Sequence, residues 1–146
     1  MHLHSVDLKE FYDDICGRIV QRVLRRYLRK LWPDARGMRM LGVGFATPYL
    51  KIFMGEAERI AALMPSSHGA VPWPPDDKGL VALYEEDSFP VETNSTDRIV
   101  AIHAAETIDG LDRMLAECWR VLAGQGRLIL VVPNRSGLWA RSDHTP

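Results

Sequence analysis

The chain offers chemistry in few places, and the first lies early. The stretch Met38-Arg39-Met40-Leu41-Gly42-Val43-Gly44-Phe45-Ala46-Thr47-Pro48 is an apolar run that ends in Gly-x-Gly-x-Ala. A buried strand that bends sharply beside a ligand needs such residues, because glycine admits close backbone approach and angles closed to other side chains. Free N–H groups at the start of a following helix then point into the same space. The same spacing also serves a plain tight turn, so other residues must decide. His103 ends a second apolar run and Glu106 follows three residues on. At a strand end the histidine reads either as a general base or as a satisfied polar group at the sheet rim. Glu106 reads either as a base for a nucleophile or as the opening of a turn. The run Glu85-Glu86-Asp87 reads, on composition alone, as a solvated acidic loop. His2, His4 and His144 lie in the tails, and His2-x-His4 lacks the further ligands a metal requires. Cys16 and Cys118 sit far apart on helical apolar faces, without metal or redox spacing, and read as buried free thiols.

Elements that could position these residues follow from hydrophobic periodicity. Asp7 to Trp32 reads as one amphipathic helix, with Phe11, Tyr12, Ile15, Ile19, Val23, Leu24, Tyr27, Leu28 and Leu31 recurring at helical spacing. Arg18, Arg22, Arg25, Arg26, Arg29 and Lys30 fill the rest of its surface. They are either a basic arm for lipid, RNA or an anionic substrate, or the solvated face of a helix packed on the domain. The apolar stripe needs a partner, so packing on the domain is expected. Arg39 to Val43 is a first strand, and Pro48 starts a helix that runs to Glu58. Further strands are expected at Arg59–Met64, Leu80–Tyr84, Arg98–His103 and Arg127–Val132, with a helix from Asp109 to Leu122 that Gly124 stops. Trp119 belongs to that helix's core face. The long Pro65–Gly79 connection carries Trp73, which either caps a pocket or anchors the loop.

Solid apolar strands alternating with helices predict a three-layer α/β domain with a mostly parallel sheet of about five strands. Ligands in such sheets sit beyond the carboxyl ends of the strands, where the Gly-x-Gly bend, the loop after Met64, the acidic run and His103 to Thr107 converge. The organisation expected is an N-terminal helix over residues 1–37, a core over 38–134 and a polar tail over 135–146. At 146 residues, 47% hydrophobic and 25% charged, the composition is that of one ordinary globular domain. A net charge of -1 gives no reason for an obligate nucleic-acid partner. No signal peptide and no membrane-spanning apolar run is read, so a cytoplasmic protein without a membrane partner is expected.

The pattern resembles class I S-adenosylmethionine-dependent methyltransferases of the type 11 group, which have a Rossmann-like fold. Leu41-Gly42-Val43-Gly44-Phe45-Ala46 is similar to their glycine loop. Glu85 to Pro90, with Asn94-Ser95-Thr96-Asp97-Arg98-Ile99-Val100, resembles their acidic adenine loop and fourth strand. The most specific part is Glu117-Cys118-Trp119-Arg120-Val121-Leu122-Ala123-Gly124-Gln125-Gly126-Arg127-Leu128, similar to their helix, glycine-bounded turn and fifth strand.

The resemblance implies S-adenosylmethionine as cofactor, held by Gly42, Val43, Gly44 and Ala46 on its methionine side. It implies Glu85, Glu86 or Asp87 at the adenine amino group with Phe89 nearby, and His103 and Glu106 as catalytic residues at the methyl-transfer mouth. The reaction implied is methyl transfer to a small molecule, without a metal. Two acids that the family often carries are Met40 and Met64 here, which removes anchors for the cofactor. The family's last two strands are missing, so the chain reads as truncated, with an exposed sheet edge through which copies could associate. The rival reading is a non-catalytic binding or dimerising relic. A nicotinamide oxidoreductase fits less well, since a third glycine and an acid after the second strand are absent.

Overall fold

The computed structural model describes residues 5–76, 79–85, 87–106, 109–134 and 136. Its centre is a five-stranded, wholly parallel sheet in the order β3-β2-β1-β4-β5. The strands are β1 (Arg39–Gly44), β2 (Arg59–Pro65), β3 (Val81–Tyr84), β4 (Thr96–Ile102) and β5 (Leu122–Val131). β1 is the middle strand because its neighbours pair on both sides, Gly42 with Ala62 of β2 and with Val100 of β4. Its first residue is pinned as well. Asp97 accepts from the Arg39 backbone N–H at 2.8 Å and from its guanidinium at 2.9 and 3.0 Å. That fork holds the Asp97 carboxyl below the usual carboxylate range.

Side-chain alternation along β1 and β4 separates two cores. Met40, Val100 and Ile102 face one side with Tyr12, Leu28, Trp32, Phe45, Tyr49 and Phe53. Leu41, Val43, Ile99 and Ala101 face the other, with Met114, Cys118 and Val121 of helix α4 (Leu111–Val121). Helices thus cover both faces, and the Rossmann-like, three-layer α/β architecture expected from the sequence is what forms. The Cys118 thiol lies in this second core, where burial raises it to about 11.

Several expected elements differ. The single N-terminal helix is two helices, α1 (Ser5–Asp13) and α2 (Ile15–Leu31), broken at Asp14, whose backbone is extended. The helix after the glycine bend is one turn, α3 (Thr47–Leu50), followed by the 3-10 turn Lys51–Phe53. Gly124 does not stop α4: that helix ends at Val121, and Gly124 and Gly126 lie inside β5. Trp119 is 80% exposed, not core.

On α2 the apolar stripe Ile15, Ile19, Val23, Tyr27 and Leu31 is exposed. The helix seats instead through buried Leu28 and through two arginines. Arg25 donates twice to the Pro48 carbonyl, at 2.9 and 2.7 Å, and Arg29 reaches Glu56 at 2.9 Å. Trp73 anchors its loop, packing on Ala46, Leu50 and Ala62 behind the glycine bend. Among the described residues no helix is long and apolar enough to cross a membrane.

Candidate functional site

The carboxyl ends of β1, β2 and β4 meet as the sequence predicts, and a hollow lies over them. It is lined by Gly44, Phe45, Met64, Pro65, His68, Gly69 and His103, with Leu8 of α1 closing it. Its volume is about 10 Å³, room for about one water.

Both glycines of the bend serve the sheet. A side chain at Gly42 would fall 2.6 Å from Leu50 and 2.8 Å from Ala46. At Gly44, with φ +78°, a Cβ would overlap the Ile102 carbonyl oxygen and approach Ala104 at 3.0 Å. Phe45 N–H donates to that same carbonyl at 2.8 Å. A substitution such as Gly44→Val therefore strikes the pairing of β1 with β4 before it meets any ligand. The single turn of α3 offers no helix N-terminus of useful length. Val43 turns into the core on the α4 side, and Ala46 is wholly buried under Trp73.

At the end of β4 the chain enters a left-handed conformation at His103, φ +51°. Such a backbone is uncommon outside glycine and persists only where surrounding contacts enforce it. Here they are polar and ordered. His103 Nδ1 lies 2.6 Å from Glu106 Oε1, and His103 Nε2 lies 2.9 Å from the Tyr12 hydroxyl. Tyr49 donates to that hydroxyl at 2.7 Å. Because Tyr49 donates to it, the Tyr12 hydroxyl is left to direct its own O–H at Nε2, and Nδ1 faces Glu106. Side chains of His103 and Glu106 are 13% and 9% exposed. Glu106 Oε2 is buried with no hydrogen-bond partner among the described residues.

Tyr12 is the residue the sequence did not disclose as part of this site. It was legible only as one apolar position of a helix, and 91 residues separate it from His103. Its ring stacks on Phe45, centroids 5.3 Å apart and planes 7° apart, and meets Phe11 edge-on at 5.1 Å. Burial pushes its hydroxyl up to about 12 despite the opposing hydrogen bond from Tyr49, and raises Tyr49 further.

The acidic run behaves differently residue by residue. Glu85 is exposed at the end of β3 and accepts from Ser66 Oγ at 2.7 Å, so its carboxylate stands beside the end of β2. Asp87 is exposed and lies 3.9 Å from Arg113. Glu86 lies outside the described residues. Phe89 is buried edge-on against Tyr84 on the α4 side, its N–H held by Glu117 at 2.7 Å, and does not line the hollow. The structure thus brings Gly44 and His103 to the hollow and joins Glu106 and the unforeseen Tyr12 to His103, while Glu85 stands outside the hollow's lining, against Ser66. Among the described residues no group of three His, Cys, Asp or Glu side chains is placed to hold a metal ion.

Comparison with known proteins agrees with the fold. A family model described as a methyltransferase domain matches residues 41–130, from β1 into β5. No curated protein matches significantly. Among solved structures, the chain is similar to a putative S-adenosyl-L-methionine-dependent methyltransferase from Methanococcus maripaludis. Identity there is 16%, over 87% of this chain and 63% of that one, with a TM-score of 0.65. It is also similar to a structure of the complex between the Haloferax volcanii Trm112 methyltransferase activator and the putative methyltransferase, with 16% identity, 86% and 56% coverage and a TM-score of 0.62. The YcgJ protein of Bacillus subtilis matches at 16% identity, 73% and 48% coverage and a TM-score of 0.57. At such identities the likeness is one of fold, and this chain spans less than two thirds of each of those chains.

Proposed function

Since the chain belongs to the methyltransferase-domain family, we propose that it binds S-adenosylmethionine and directs methyl transfer to a small-molecule acceptor. The observation that carries this reading is His103, which lines the hollow beside Gly44 at the end of β4 and is held by Glu106 at 2.6 Å from Nδ1.

The residues around that hollow suit the cofactor in kind. Gly44 leaves the bend without a side chain, Met64 and Pro65 offer apolar walls, and Glu85 with Ser66, outside the lining, supplies polar partners for the nucleoside. They do not suit it in present volume, because Leu8 and Tyr12 of α1 fill the space above the bend. Binding therefore requires α1 to lift from the sheet. Once bound, the cofactor supplies a methyl group already activated on a sulfonium, so the protein's task is positioning and proton removal. His103 accepts the acceptor's proton at Nε2. Glu106 holds the ring in the tautomer that leaves Nε2 open and steadies the charge that forms.

Calorimetry with S-adenosylmethionine and with NADH on the full chain tests this. Saturable heat with the first and none with the second is expected. Silence with both at millimolar concentration would leave a non-catalytic binding module as the better account.

A further inference from the structure

We infer that the acceptor is a small phenol, and that Tyr12 occupies its place in the structure. The inference rests on the methyl-transfer reading above and adds the substrate class. Leu8 and Tyr12 stand four residues apart on one face of α1, so a single helix fills two neighbouring spaces. Leu8 closes the hollow over Gly44 and Met64. The place Tyr12 occupies in the core is walled on one face by the parallel Phe45 ring, centroids 5.3 Å apart. There its hydroxyl meets His103 Nε2 at 2.9 Å and Tyr49 Oη at 2.7 Å.

A place with a planar apolar wall and two polar groups converging on one hydroxyl is built for an aromatic alcohol. An alkyl alcohol would leave the Phe45 face uncovered. An aromatic hydrocarbon would leave Nε2 and the Tyr49 O–H without their partner, an aromatic amine would offer Tyr49 only a weak acceptor, and a site made for a hydroxyl discriminates steeply against analogues lacking it. When a phenol replaces Tyr12, its O–H bond breaks and the proton passes to Nε2. The electron pair left on the phenol oxygen would form the new O–CH3 bond as the S–CH3 bond of S-adenosylmethionine breaks, its pair returning to sulfur so that S-adenosylhomocysteine leaves, and the imidazolium gives Nδ1–H to Glu106.

The helix that fills this place is held by a corner with no room to spare. A Cβ on Gly17 would overlap the Phe11 carbonyl and lie 2.7 Å from Tyr12 Cα, both backbone groups that cannot rotate aside. Gly17→Ala should therefore unseat α1 without altering His103, Glu106, Tyr49 or Phe45 themselves.

The test uses the full chain carrying Gly17→Ala, with Tyr12→Ala as the second variant should the first not fold. The probe is 4-methylphenol, compared with toluene, by calorimetry and by the imidazole resonances of His103. Expected are binding about tenfold tighter than to the unaltered protein and about tenfold tighter than toluene, as one hydroxyl's hydrogen bonds confer. His103 resonances should move only with the phenol, and 4-methylanisole should form when S-adenosylmethionine is added. Equal binding of toluene, or unmoved His103 signals, would overturn the phenol assignment. If S-adenosylmethionine binds the variants and the phenol does not, the phenol assignment fails and the methyltransferase reading stands. If the phenol binds and S-adenosylmethionine does not, the phenol site is upheld and the methyltransferase reading fails.

Discussion

At the scale of single residues, the hydroxyl of Tyr12 ties α1 to the sheet. Its pKa in the folded chain, about 12, lies above the ordinary tyrosine value near 10. A group raised in this way contributes its full stabilisation below the unfolded value and loses it as pH rises through the folded one. Between about pH 10 and pH 12 the α1 contact should therefore weaken, seen as faster amide exchange over residues 5–13 while α4 stays protected. Tyr12→Phe should abolish that alkaline step and cost roughly 1–3 kcal/mol at neutral pH, because Nε2 and the Tyr49 O–H lose their common partner. Exchange rates unchanged up to pH 12 would count against the contact. His103 and Glu106 were legible from their place after an apolar run. Tyr12 was not, since nothing local to a helix reveals what its hydroxyl meets across the fold.

At the scale of elements, periodicity located the strands and misjudged what the helices bury. The central strands β1, β2 and β4 end in continuous apolar runs because they are covered on both faces, whereas β3 and β5 at the sheet's margins stay partly exposed. Helix α2 carries apolar residues all along one side, yet it docks through Leu28, Arg25 and Arg29, since the elements beneath it present carbonyl groups at Pro48 and Ile52. The expected measurements separate the two faces. Leu28→Ala should cost roughly 2–5 kcal/mol in denaturant melts, and Ile19→Ser or Trp119→Ser should stay within about 0.5 kcal/mol. A large loss on Trp119→Ser would restore the core role that its sequence context suggested. The glycine bend was legible from its small residues, and the structure adds a packing role to the expected one: they admit β4 and Leu50 to close contact.

For the whole molecule, β5 pairs with β4 on one side, and no strand among the described residues takes its other edge. Among the described residues this edge of β5, beside exposed Leu130, Val132 and Trp119, is a template for pairing. Concentration-dependent self-association is expected by sedimentation, and Leu130→Lys should reduce it; association indifferent to that change would place the contact elsewhere. The tie between Leu8 and Tyr12 has a different reach. Because Leu8 and Tyr12 share one helix, displacing α1 for one guest withdraws both side chains, and the first guest to enter bears the whole work of displacement. Whichever small molecule arrives second should then find its place vacated and bind more tightly, and reciprocity requires the same factor in either order.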